Sequence, residues 1–106
     1  MVTVPVQIVR FVMKHQPNIV ECVLTDTAGR RWHFLDKSAV FTSTPLNATS
    51  SYPQPGVIAC EIVREWTDEG GRGRCIISTE RPWDVEATSG ETQFEVFSDQ
   101  ITTPVA

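Results

Sequence analysis

The 106-residue sequence is short of almost everything that announces a function: three cysteines, two histidines, one tyrosine, no long apolar run, and no charge between residues 41 and 56. Each shortage excludes something. No stretch approaches the roughly 20 uninterrupted apolar residues of a membrane span. At the N-terminus Thr3, Pro5 and Gln7 break up the apolar residues and no basic group precedes them, so no secretory leader is expected. The expected location is cytoplasmic, with no membrane contact.

Cys22, Cys60 and Cys75 are odd in number and none forms a C-x-x-C pair, which excludes a disulfide framework. Each sits among β-branched neighbours, where a free thiol behaves as a small hydrophobe, and all three are expected as reduced core residues. His15 and His33 lack zinc-ligand spacing with these cysteines. No G-x-S-x-G elbow, H-E-x-x-H pair or phosphate loop accompanies them either. No catalytic residue, metal or cofactor is therefore assigned. Gly70-Gly71-Arg72-Gly73-Arg74 resembles an arginine-glycine nucleic-acid segment, but with nine Lys and Arg in the whole chain a hairpin turn is the better reading and no nucleic-acid partner is expected. Asn47-Ala48-Thr49 matches the N-x-[ST] pattern and signifies an exposed loop.

What is present reads as β-structure in a single domain over residues 1–100, with a flexible tail at 101–106. Val2, Val4, Val6 and Ile8 fall on even positions, then Val9, Phe11 and Met13 on odd ones, so one strand changes phase at Ile8-Val9, as a β-bulge produces. Pro5 places the start of that strand at an edge. Ile19 to Asp26 alternates as a second strand and turns through Asp26-Thr27-Ala28-Gly29 into Arg30 to Leu35, where Trp32 and Phe34 are expected in the core. Asp36 to Phe41 is either a helical turn capped by Asp36 or a short strand. Thr42 to Gly56 is a long loop, the kind of segment that carries function.

Val57 to Trp66 is read as a strand, although Ile58, Ile62 and Trp66 also fit a helical stripe. It turns through Thr67 to Gly73 into Arg74 to Thr79. A third hairpin pairs Trp83 to Thr88 with Thr92 to Phe97 around Ser89-Gly90. The expected class is all-β with at most one short helix, a small six-stranded antiparallel barrel or sandwich.

Charge gives the strongest functional pointer. Residues 1–40 hold five basic groups against three acids, whereas residues 57–106 hold four arginines against ten acids, a net −6. Glu61 and Glu65, and Asp84 and Glu86, recur at strand spacing and are read as solvated faces pointing outward. Trp66, Trp83, Tyr52 and Arg81 are residue types enriched at interface hot spots, and Trp66 and Trp83 are placed to approach each other across the base of the 67–82 hairpin. The leading expectation is a non-enzymatic protein-binding module that docks a basic partner surface through Glu61, Glu65, Trp66, Asp68, Glu69, Arg81, Trp83 and Tyr52. Its most concrete form is an acidic bacterial inhibitor or immunity-type protein. The alternatives are a small enzyme or ligand-binding barrel with a pocket lined by Trp32, Phe34 and His33, and an accessory subunit of a larger assembly, which requires an apolar surface patch. The oligomeric state is left open.

Overall fold

The computed structural model describes residues 2–13 and 18–103. In chain order they form β1 (Val2–Met13), β2 (Ile19–Thr25), β3 (Arg31–Lys37), a one-turn helix α1 (Ser38–Phe41), β4 (Gln54–Thr67), β5 (Gly73–Ser78), β6 (Gln93–Phe97) and a 3-10 turn at Ser98–Gln100. The strands make one antiparallel sheet in the order β3-β2-β1-β4-β5-β6, curled into a half-barrel. Strand alternation fills its concave face with Val4, Val6 and Ile8 of β1, Val20, Cys22 and Leu24 of β2, Phe34 of β3, Ile58 and Cys60 of β4, Cys75 and Ile77 of β5, and Phe94 and Val96 of β6. The three cysteines are free and buried as expected. Burial pushes the Cys22 thiol up to about 12 and the Cys60 thiol to about 11.

The phase change in β1 is a bulge: Ile8 faces Cys22 and Arg10 faces Glu21, with Val9 extra. β4 carries the same device, with Ile62 facing Ile77, Arg64 facing Ile76 and Val63 extra. The tripeptide is Ile-Val-Arg in both places. The central pair β1/β4 is in register at Val4 opposite Ile58, which are 54 residues apart, as are Ile8 and Ile62. Two bulged meanders, β1-β2-β3 and β4-β5-β6, are thus related by a pseudo-twofold axis between Val4 and Ile58. Phe34 and Phe94 hold corresponding places, opposite Cys22 and Ile77, and their rings meet edge to face at 5.5 Å.

That contact draws the two outer strands together without pairing them. Instead, the backbone N–H of Thr88 donates to the His33 carbonyl (2.8 Å), and that of Thr27 donates to the Glu95 carbonyl (3.1 Å). Each outer strand therefore has one backbone carbonyl of its outer flank satisfied by a loop or turn. Although β1 is central, Pro5 lies beyond the last residue paired with β2, so its missing N–H breaks no ladder; its pairing is with Val57 on the other flank.

Four expectations change. Trp83 to Thr88 is not a strand, and β6 pairs with β5 rather than with that segment. The stretch between β5 and β6 is a loop folded onto Thr79, whose buried hydroxyl donates to the Val85 carbonyl, while Val85 and Ala87 plug the core. Burial of alternate residues there reflects a plug, not a pleat. Asp36 caps nothing: β3 runs to Lys37, and the helical turn begins at Ser38 with no side-chain cap. β4 begins at Gln54, three residues earlier than the sequence suggests, which shortens the loop. That loop is anchored by buried Leu46 and by the Tyr52 hydroxyl, which donates to the Asn47 carbonyl at 2.7 Å. Ile101, assigned to the tail, packs against the core, and Thr102 pairs with Thr3.

Candidate functional site

β4 outlasts its neighbour. β1 accompanies it from Ile8 opposite Gln54 to Val2 opposite Cys60, and beyond that point β4 is paired only with β5. From Ile62 to Thr67 the other flank of the strand has no partner among the described residues. The β4-β5 hairpin, or arm, is thus a sheet edge on its β4 side, while β6 pairs with β5 along its length.

The arm ends in a three-residue turn built on Asp68. The Asp68 N–H donates to the Arg72 carbonyl (2.9 Å), and the Gly71 N–H donates to the Asp68 carbonyl (3.0 Å) with Gly71 at φ +84°. This is a type I turn closed by a glycine bulge. Asp68 Oδ1 accepts the N–H groups of Gly70 and Arg72, both at 2.9 Å, and Oδ2 accepts Arg74 Nε at 2.7 Å. The Arg74 hydrogen bond, with backbone donors behind it, holds the Asp68 carboxyl below its usual range. The β2-β3 turn repeats this bond for bond: Asp26 Oδ1 accepts the N–H groups of Ala28 and Arg30, Oδ2 accepts Trp32 Nε1 at 2.9 Å, and Gly29 sits at φ +79°. The shared string is T-D-x-x-G-R, at Thr25–Arg30 and Thr67–Arg72. Glu95 joins the two turns by accepting from the Thr27 hydroxyl and from Arg74 Nη1.

The residues expected to bind a partner do not form one surface. Glu61 pairs with Ser78 on the convex face, but the Val63 bulge puts Glu65 opposite buried Cys75 on the concave side. The two acids therefore occupy opposite faces, correcting the outward alternation expected for them. Asp68 is consumed by the turn, whereas Glu69 is exposed at its tip. Trp66 lies half-buried on the convex face beneath the Arg64 guanidinium, 4.6 Å from its ring centroid. It sits opposite Arg74, whereas Trp83 follows the other end of β5, a separation of four ladder steps or roughly 14 Å. The two tryptophans thus do not meet across the hairpin base. Trp83 is the most exposed large apolar residue among those described, at 62%, and Arg81 is exposed beside it in sequence. Tyr52 lies beyond the far end of β4 in the 42–53 loop and belongs to neither group.

The alternative pocket is not assembled. Trp32 and Phe34 point inward against Phe94, while His33 points outward and its Nδ1 lies 2.7 Å from Glu21. Burial raises the Glu21 carboxyl, but hydrogen bonds from His33 and Arg10 outweigh it and leave the group below its usual value. Two shallow cavities, of about 260 and 230 Å³, are lined by Phe41 to Ser43 with Pro55 to Val57, and by Pro5 to Gln7 with Val23, Thr25 and Gln100. Neither contains Trp32, Phe34 or His33. His15 lies outside the described residues. Exposed Leu35 and Val57 stand on separate strands, with β2 and β1 between them, and make no continuous patch.

Arg64, the convex neighbour of Trp66, was not singled out by sequence reasoning. Its signal was the second Ile-Val-Arg, since the first already marked a bulge. The chain matches no family model, no curated protein and no solved structure.

Proposed function

We propose that the chain is a non-enzymatic protein-binding module that docks a basic partner surface with the β4-β5 arm and the adjoining 80–86 segment. The observation that carries this is charge left without a counter-charge. Glu61, Glu65, Glu69, Glu80, Asp84 and Glu86 are all exposed and make no ion pair among the described residues, against Arg64 and Arg81 as the unpaired cations of the same stretch. Although Glu61 and Glu65 lie on opposite faces, this uncompensated charge attracts a cationic surface, steering the partner in and speeding association. Exposed Trp83 supplies an aromatic anchor next to it. In its most concrete form the module is a bacterial inhibitor or immunity-type protein covering the basic active surface of a nuclease or other toxin.

The test is affinity capture from bacterial lysate with mass spectrometry, at low and high salt, using the native chain and the triple variant Glu61→Lys, Glu65→Lys, Glu69→Lys. Asp68 stays untouched because its loss would open the turn. The expected result is a basic protein retained at low salt, released at high salt and lost to the variant. Retention of nothing at low salt, or retention insensitive to the reversal, overturns the reading.

A further inference from the structure

We infer that the unpaired flank of Ile62–Thr67 receives an extended basic segment of the partner as an added β-strand. This rests on the docking reading above and specifies how the contact is made. Because the Asp68–Arg72 bond fixes the phase of the ladder, hydrogen-bonded pairs recur at Trp66–Arg74 and Arg64–Ile76. The N–H and C=O groups of Glu65 and Thr67 therefore point away from β5, toward the open flank. An added strand gains affinity from those main-chain groups and specificity from alternate side chains. The flank is roughly 20 Å long, and its apolar members Ile62 and Val63 are 40% and 54% exposed.

Among the described residues this flank is the uncovered one. After β3 the chain enters α1 and the anchored 42–53 loop, where the Phe41 carbonyl oxygen lies 3.2 Å from a Cβ built on Gly56 and the Leu46 carbonyl accepts from Asn18 Nδ2 at 3.4 Å. That loop therefore reaches β4 and the start of β2, at the end of the sheet where β1 runs past β4. In the second meander the segment after β6 instead turns over Gly73, where Ser98 Oγ lies 2.9 Å from a built Cβ, and continues to Thr3.

Charge selects the occupant. Paired residues in an antiparallel ladder share a face, so a second copy of the chain, related by a twofold axis and using the flank at its longest overlap, would centre the contact on Arg64 opposite Arg64 or on Glu65 opposite Glu65. Like charges directly opposite destabilise both registers. A strand with lysine or arginine opposite Glu65 meets no such conflict, and Arg64 remains stacked on Trp66.

The probe is an end-blocked seven-residue peptide of alternating lysine and threonine, compared with its glutamate-threonine counterpart and with a lysine peptide N-methylated at alternate residues. Binding is read by titration calorimetry, and its place by amide hydrogen exchange. The lysine peptide is expected to bind, to slow exchange at Glu65 and Thr67, and to lose about tenfold in affinity on N-methylation or against Thr67→Pro, which removes an edge donor and leaves the β5 ladder intact. The glutamate peptide is expected not to bind. Lysine-peptide binding that N-methylation and Thr67→Pro leave unchanged overturns strand addition while leaving basic docking standing. Binding of neither peptide overturns strand addition alone, because lysate capture judges the docking reading separately.

Discussion

Asp68 shows how a residue can be conspicuous in a sequence for the wrong reason. Counted among acids in an acidic half it looked like docking surface, yet both of its oxygens are occupied by the turn and by Arg74. Its contribution to stability has a definite sign. The folded carboxyl lies below the ordinary 3.8, so the unfolded chain takes up that proton first, and the stabilisation is present above that value and lost as pH falls through the folded one. Asp68→Asn keeps an oxygen for the two backbone donors but gives up the ion pair with Arg74. Urea midpoints followed from about pH 5 to about pH 2 are expected to fall less steeply for Asp68→Asn than for the native chain. Identical slopes would mean that the pair adds nothing. The T-D-x-x-G-R string was legible at both turns, and each Oδ2 finds its partner six residues on, Trp32 in one and Arg74 in the other.

At the scale of elements, the sequence was most readable where side chains alternate against a solvated face and least readable where burial comes from something other than pleating. The bulge at Ile8-Val9 could be read because apolar parity switches there. Its counterpart at Val63 shows no such switch, because Ile62, Val63 and Trp66 all remain partly exposed, and only the repeated Ile-Val-Arg marks it. Missing it put Glu61 and Glu65 on one face. The false third hairpin has the opposite cause, since Val85 and Ala87 alternate as a plug inside a loop. The turns give the sharpest element-scale prediction. Gly29 and Gly71 adopt positive φ, and a Cβ at either meets nothing within 4 Å. Gly29→Ala and Gly71→Ala are therefore expected to cost only the left-handed penalty of about 1–2 kcal/mol each, measured by urea unfolding, without displacing neighbours. Gly73→Ala carries no left-handed penalty but drives its Cβ into Ser98, so it is expected to perturb the 98–100 turn, visible as altered chemical shifts there.

At the scale of the molecule, two bulged meanders share a core through Phe34 and Phe94 instead of through a closing row of hydrogen bonds. Truncation of either ring to alanine is expected to cost about 3–5 kcal/mol. In a double-mutant cycle the pair should show coupling of about 0.5–1.5 kcal/mol, and additivity would mean that the outer strands are held together by other contacts. Seven segments read as strands in the sequence, and the observed six remain only once Trp83 to Thr88 is removed. The all-β antiparallel class nonetheless followed from strand alternation and turn residues. The twofold relation did not, because its traces are short: one tripeptide at 54-residue spacing and one phenylalanine in each outer strand. The candidate site was located to the correct hairpin by its acids and Trp66, but its chemistry lies in the backbone, where β1 ends and β4 continues. Side-chain patterns carry no record of where a neighbouring strand stops.

The central claim is that β4 leaves a free backbone edge beyond Cys60, and residue-resolved amide exchange of the free protein tests it most directly. The prediction is an alternating pattern on the arm, with Arg64 and Trp66 protected by β5 and Glu65 and Thr67 exchanging rapidly, set against slow exchange at Ile58 and Cys60, whose N–H groups face β1. Slow exchange at every residue from Arg64 to Thr67 would show the flank already covered, by a second copy or by another part of the chain, and would contradict the account.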